Sequence, residues 1–239
     1  RTIKGPNDNN VTKTTSTGSE KPEELATTDK ISRIAFSRYM QIKQGGGEVD
    51  DQFEKQLVAE VLSTQNSSLK QARLYTEGDL TIIEGNKNNL TAFGNKMGEI
   101  VKSANWGVDE LDILKTALDK EDAKSLEKID IAISGYKKII DNSLLLPTPK
   151  NAVREHLLFL NAISKMINSL EGSKNAFKDP ALALAYFGKY PEHVTNLHRA
   201  FIDIQGLFSR NNISYVETDP GLVYARFADI VNYIATKQK

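Results

Sequence analysis

"KNAVREHLLFLNAISKMINSL", residues 150–170, decides how this chain folds. Val153, Leu157, Leu160, Ile163, Ile167 and Leu170 recur every three or four residues. That spacing stacks side chains on one face of a helix of 3.6 residues per turn. Gly172, just beyond, has the backbone freedom that closes a helix at its C-terminal end.

The same period continues upstream. "LLLPTP", residues 144–149, interrupts it, because each proline confines itself and its predecessor to extended geometry. Before that break, Leu126, Ile129, Ile133, Tyr136 and Ile140 form a seam over residues 121–140. A short helix over residues 109–119 is expected to turn Leu111, Leu114 and Leu118 inward, and an earlier one carries Leu90, Phe93, Met97, Ile100 and Val101. "YTEGDLTIIEGN", residues 75–86, reads as a loop or short extended passage. Further back, Asp29 suits an N-cap for a helix through Ile31, Ile34, Ala35, Arg38, Tyr39 and Ile42, which Gly45 to Gly47 would end. Phe53, Leu57 and Val61 mark another.

Downstream, "KDPALALAYFGKYP" places Asp179 as N-cap and Pro180 at the first helical position. Pro191 is expected to end or kink that helix, after which Val194, Leu197, Phe201, Ile204 and Phe208 carry the stripe to "RNN". "ISYVET" is a short alternating segment, and Asp219-Pro220 repeats the start signal for a last helix through Val223, Phe227, Ile230, Val231 and Ile234. The expectation is an all-α fold: a multi-helix bundle of seven to nine helices, one domain over residues 29–239, with no sheet and no internal repeat.

Residues 1–28 differ in kind. They are Thr, Ser, Asn, Gly, Pro and Lys with hardly a large apolar side chain after Ile3, so ordering them would cost entropy that no burial returns. They read as a flexible, disordered linker. The sequence starts at Arg1 rather than Met, which suggests a processed product whose N-terminal anchor or signal has been cut away.

Composition narrows the function classes. Hydrophobic residues make up 39% and charged residues 26%, ordinary for a globular chain. Net charge is zero and no basic run occurs, which argues against nucleic acid as a partner, since phosphate-backbone binding needs clustered Lys and Arg. The absence of cysteine excludes disulfides and thiolate sites and leans toward an extracytoplasmic setting. No apolar run reaches the ~20 residues needed to cross a bilayer, so any membrane association would run through the missing N-terminal anchor.

Chemistry-bearing motifs are sparse. His193 and His198 stand five residues apart, about 140° around a helix, which suits no shared metal ion, and metal ligands are expected to be none. Glu155 beside His156 could be read as a carboxylate and a general base, but spacing identifies no partner for either, so catalytic residues and cofactors are also expected to be none. Aromatic residues crowd the last third, mostly on inward faces. Tyr186, Phe187 and Tyr190, grouped before Pro191, are the candidates for an exposed contact surface, because aromatics favour interface hot spots. His198 and Asp203 are the candidates for polar groups in an internal pocket.

"YTEGDLTII", "NNLTAFGNKMGEI", "LPTPKNAVREHLLFLNAI" and "DPALALAYFGKY", in that order over residues 75–221, resemble a group of uncharacterised helical bacterial proteins. These are proteins of small-genome lineages with an N-terminal membrane segment. The resemblance implies a location, a domain held outside the membrane by a stalk, and no activity. The sequence therefore suggests a non-enzymatic extracytoplasmic helical domain on a membrane-tethered stalk that binds another protein or an envelope component. The alternative is a helical protein that holds a small ligand or metal in an internal pocket.

Overall fold

A computed structural model describes residues 28, 29, 31, 69–103 and 110–224, and 74% of what it describes is helical. Five α-helices carry it: α1 (Lys87–Ser103), α2 (Glu110–Asp119), α3 (Ile129–Leu144), α4 (Val153–Ser173) and α5 (Pro180–Arg210). The helices expected around Ile34 and Leu57 lie outside the described residues.

The centre of the fold is an antiparallel hairpin of α4 and α5. Its register can be read from four contacts: Gly172 against Tyr186, Ser169 against His193, Phe159 against Phe201, and Glu155 against Arg210. Each step up one helix matches a step down the other. Phe159, Leu160, Ile163 and Leu170 from α4 and Phe201 and Ile204 from α5 are almost wholly buried between them. At about 1.5–3 kcal/mol for each large apolar side chain taken from water, these residues supply much of the driving force.

Two helix ends show why the chain turns where it does. Asp179 caps α5 by accepting from the Leu182 amide at 3.2 Å, with Pro180 in the first turn, as the sequence indicates. At its far end, Asn212 takes a positive φ of 51° while the Ile213 amide reaches back to the Phe208 carbonyl at 3.0 Å, the paired closure of a Schellman motif. Pro191 neither ends nor divides α5. The helix continues through it without interruption, 31 residues in all, so two expected helices are one. The seam expected over residues 121–140 is buried throughout, but its first part, Ala123–Lys128, winds as a 3₁₀ helix before α3 begins.

The passage over residues 75–86 is partly extended. Thr81–Ile83 (β1) pairs in parallel with Pro147–Pro149 (β2), Ile82 opposite Thr148. This two-stranded parallel sheet corrects the expectation of none; two prolines leave Thr148 as the only amide donor on β2, so it is a short clasp. The segment "ISYVET" forms no strand. Before β1, residues 70–75 run along α4 as a strap held by side chains. Asn161 accepts from the Tyr75 amide at 2.6 Å and donates to the Tyr75 carbonyl at 3.1 Å. Ser164 donates to the Arg73 carbonyl at 2.6 Å, and Asn168 to the Lys70 carbonyl at 3.0 Å.

Candidate functional site

The side chains of α2 decide where the surface opens. Leu111, Leu114 and Leu118 share a helix face at i, i+3 and i+7, as the sequence predicts, but only Leu114 is buried. Leu111 is 45% exposed and Leu118 51% exposed, a correction to their expected inward packing. The reason is that α2 lies at the edge of the fold, where Leu114 and Ala117 meet the core and the flanking leucines meet water.

Across from them, Ala176, Pro180, Ala183, Leu184 and Phe187 form a second apolar wall at the start of α5. Leu184 is 63% exposed. Between the two walls lies a groove of ≈ 420 Å³, with Lys115, Asp119 and Ser173 among its few polar lining groups.

The candidate contact surface divides. Phe187 is half-buried and lines the groove, whereas Tyr186 and Tyr190 are buried and cannot offer their rings to a partner. This corrects the grouping of the three on one exposed surface. On a continuous helix, neighbours 100° apart face different ways, and the uninterrupted α5 carries Tyr186 into α4 while Phe187 looks out. The Tyr186 hydroxyl accepts from the Lys70 amide at 2.7 Å, tying the strap to α5.

Tyr190 stiffens the groove from behind. Its ring stacks on Phe187, centroids 6.2 Å apart, and its hydroxyl donates to Glu110 Oε2 at 3.2 Å. The other carboxylate oxygen, Oε1, accepts from Tyr136 at 2.9 Å. Glu110 at the head of α2 thus ties α2 to α3 and α5. Burial, reinforced by the Glu110 charge, holds the Tyr136 phenol well above its ordinary pKa, so it stays a donor.

The histidines stand apart from this groove. His156 is fully buried, edge-on to Phe93 with ring centroids 5.2 Å apart, and its Nδ1 lies 2.9 Å from Thr148 Oγ1. Thr148 also reaches the Leu146 carbonyl at 3.3 Å. The chain of donors Nδ1–H to Oγ1–H to carbonyl is the arrangement that leaves only an acceptor, Nε2, without a partner. Desolvation lowers the His156 pKa to about 4. Glu155 does not orient it: that buried carboxylate pairs with Arg154 at 3.3 Å and Arg210 at 3.2 Å. A general-base reading of His156 loses both its carboxylate and its access to a substrate.

His198 and Asp203 are half-buried on α5, and neither lines the groove, a depression around Arg73 or one around His193. Among the described residues no group of three or more His, Asp or Glu side chains could hold a metal ion, and no helix is long and apolar enough to cross a membrane. A pairing the sequence did not reveal is Ser169 with His193, Oγ to Nδ1 2.7 Å. Ser169 sits inside α4, where neighbouring backbone amides are committed to the helix, so no oxyanion hole accompanies it.

No family model matches the chain, and no curated protein or solved structure matches it. The groove and the polar contacts around it are therefore the basis for a functional reading.

Proposed function

We propose that this protein is a non-enzymatic interaction domain that receives the apolar face of an amphipathic helix from another protein in the groove between α2 and α5. The supporting observation is the concentration of exposed leucines, Leu111, Leu118 and Leu184, around one concave apolar surface backed by a buried hydrogen-bonded tie. Isolated exposed leucines are common on any surface; several lining one groove mark a contact site. A row of leucines at i, i+3 and i+7 complements the same spacing on a partner helix, and a volume of ≈ 420 Å³ accommodates a few of its side chains. Lys115 and Asp119 on the α2 side offer charges of both signs to the partner's polar flanks.

In this reading the whole chain is a seven-to-nine-helix bundle over residues 29–239, carried outside the cell membrane on the flexible linker of residues 1–28. The linker composition and the lack of cysteine support that placement.

Photo-crosslinking tests the groove. A photoreactive residue at Leu184 in cells that make the protein is expected to capture one partner protein that the same residue at Ile131, 49% exposed elsewhere, does not. A helical peptide from that partner should bind the purified domain and lose binding with Leu118→Asp. Capture of a second copy of this chain, or identical products from both positions, would overturn the proposal.

A further inference from the structure

A second depression, of ≈ 530 Å³, lies where the strap crosses the helical hairpin on residues unrelated to the groove. Helix spacing builds it. Lys165, Asn168 and Ser169 on α4 stand at i, i+3 and i+4, and so do Lys189, Glu192 and His193 on α5. The antiparallel register brings the two sets face to face, joined by the bond between Ser169 and His193. Lys70 closes the rim from the strap, with Leu69, Ala72 and Leu74 beside it.

The charges here are unbalanced. Lys70, Lys165 and Lys189 line the depression, and none is paired with a carboxylate among the described residues. Lys165 and Lys189 are half-buried, so water screens them less than it would a free surface charge. Glu192 is the only acidic residue in the lining among the described residues. His193 sits among them, its ring bonded through Nδ1 to Ser169 and also hydrogen-bonded to the Lys165 backbone.

We propose that this depression is a binding site for a phosphate group, held by Lys165, Lys189 and Lys70 with His193 beside it. Three lysines and a histidine lining one depression can supply the charge-assisted donors that a tetrahedral dianion accepts from several sides. The site would take inorganic phosphate or the phosphate of a monoester, and a lipid headgroup would present the same chemistry.

Binding is coupled to the His193 proton. Burial, then Lys165 and Lys189, hold its pKa below the ordinary value, while Glu192 and the Lys165 carbonyl oppose them. A dianion offsets the lysines and favours imidazolium, so binding takes up a proton and affinity rises as pH falls. Sulfate, which stays a dianion across this range, separates the histidine's contribution from titration of phosphate itself.

The test follows the His193 ring resonances by NMR in the unmodified protein. Titration with inorganic phosphate is expected to shift them saturably and to raise the His193 pKa, with sulfate doing the same. The double variant Lys165→Gln/Lys189→Gln, checked for an unchanged melting temperature, should weaken binding roughly tenfold or more, whereas Lys96→Gln on α1 should not. Vesicles of phosphatidylcholine with and without phosphatidate form the second arm. Shifts with phosphatidate vesicles and none with inorganic phosphate would assign the phosphate to a lipid. No shift with either, or full binding by the double variant, would overturn the proposal.

Discussion

Gly172 on α4 lies directly against the ring of Tyr186 on α5: a Cβ at position 172 would fall on ring carbons of the tyrosine. The missing side chain sets how closely the two helices approach, and it places the Tyr186 hydroxyl where it meets the Lys70 amide. Gly172→Ala is expected to lower stability by about 2 kcal/mol in urea denaturation, because overpacking outweighs the ~1 kcal/mol that alanine gains in helix propensity. Amide exchange at Lys70 should speed up as Tyr186 is displaced. Gly188→Ala serves as the control, since nothing lies within 4 Å of a Cβ there, and it should stabilise. An equal gain at both positions would refute the close approach.

The end of α2 invites a substitution of the opposite sign. Glu121 has a φ of 51°, with its own amide on the Leu118 carbonyl at 3.2 Å and the Asp122 amide on the Ala117 carbonyl at 2.9 Å. This is a Schellman closure with glutamate where glycine is favoured. Glu121→Gly should raise stability by about 1 kcal/mol, the cost of a left-handed conformation for a residue with a Cβ. Thermal unfolding of the two proteins decides it, and a lower melting temperature for the glycine variant would contradict the assignment.

These cases mark what the sequence discloses. The stripe from Leu126 to Ile140 and the Asp179-Pro180 start are local signals, and both are present in the fold. Leu111 and Leu118 carry the same period yet stay exposed, because periodicity defines a face without saying whether a neighbour covers it. Tyr186, Phe187 and Tyr190 are neighbours in sequence, but their grouping does not say that the continuous α5 turns Tyr186 and Tyr190 inward and Phe187 out. The pairing of Ser169 with His193 depends on the register between two helices, and that of Ile82 with Thr148 on a clasp between distant segments, one of them rich in proline. Neither leaves a trace in local spacing. Of the candidate contact residues only Phe187 lines the groove, and the period of α2 does not show that Leu111 and Leu118 face it rather than the core.

Pro191 in the interior of α5 has no amide hydrogen to give the carbonyl one turn back, and its ring crowds that turn. Its position is exposed, so replacement meets no packing constraint. Pro191→Ala is expected to stabilise by about 2 kcal/mol, the ~3 kcal/mol cost of an interior proline less the ~1 kcal/mol its rigidity removes from the unfolded chain. A urea titration checks this. Destabilisation would show that proline fixes a bend on which α5 depends.

His156 makes stability depend on pH in a defined window. Desolvation sets its folded-state pKa at about 4, below the ordinary 6.5, so between those values the unfolded chain binds the proton that the folded one refuses. Stability is then complete above pH 6.5 and falls as pH drops toward 4, by about 3 kcal/mol over the whole interval. His193, also shifted down, adds a smaller change of the same sign. His156→Gln should lose stability at neutral pH, because a flexible amide with more donors to satisfy replaces a fitted ring in an enclosed site, but should flatten the slope between pH ~5 and ~7, where carboxylates contribute little. Urea midpoints across that range, with the His156 ring followed by NMR, supply the measurement. A His156 that titrates near its ordinary value, or a variant as steep as the parent, would remove the buried imidazole as the cause.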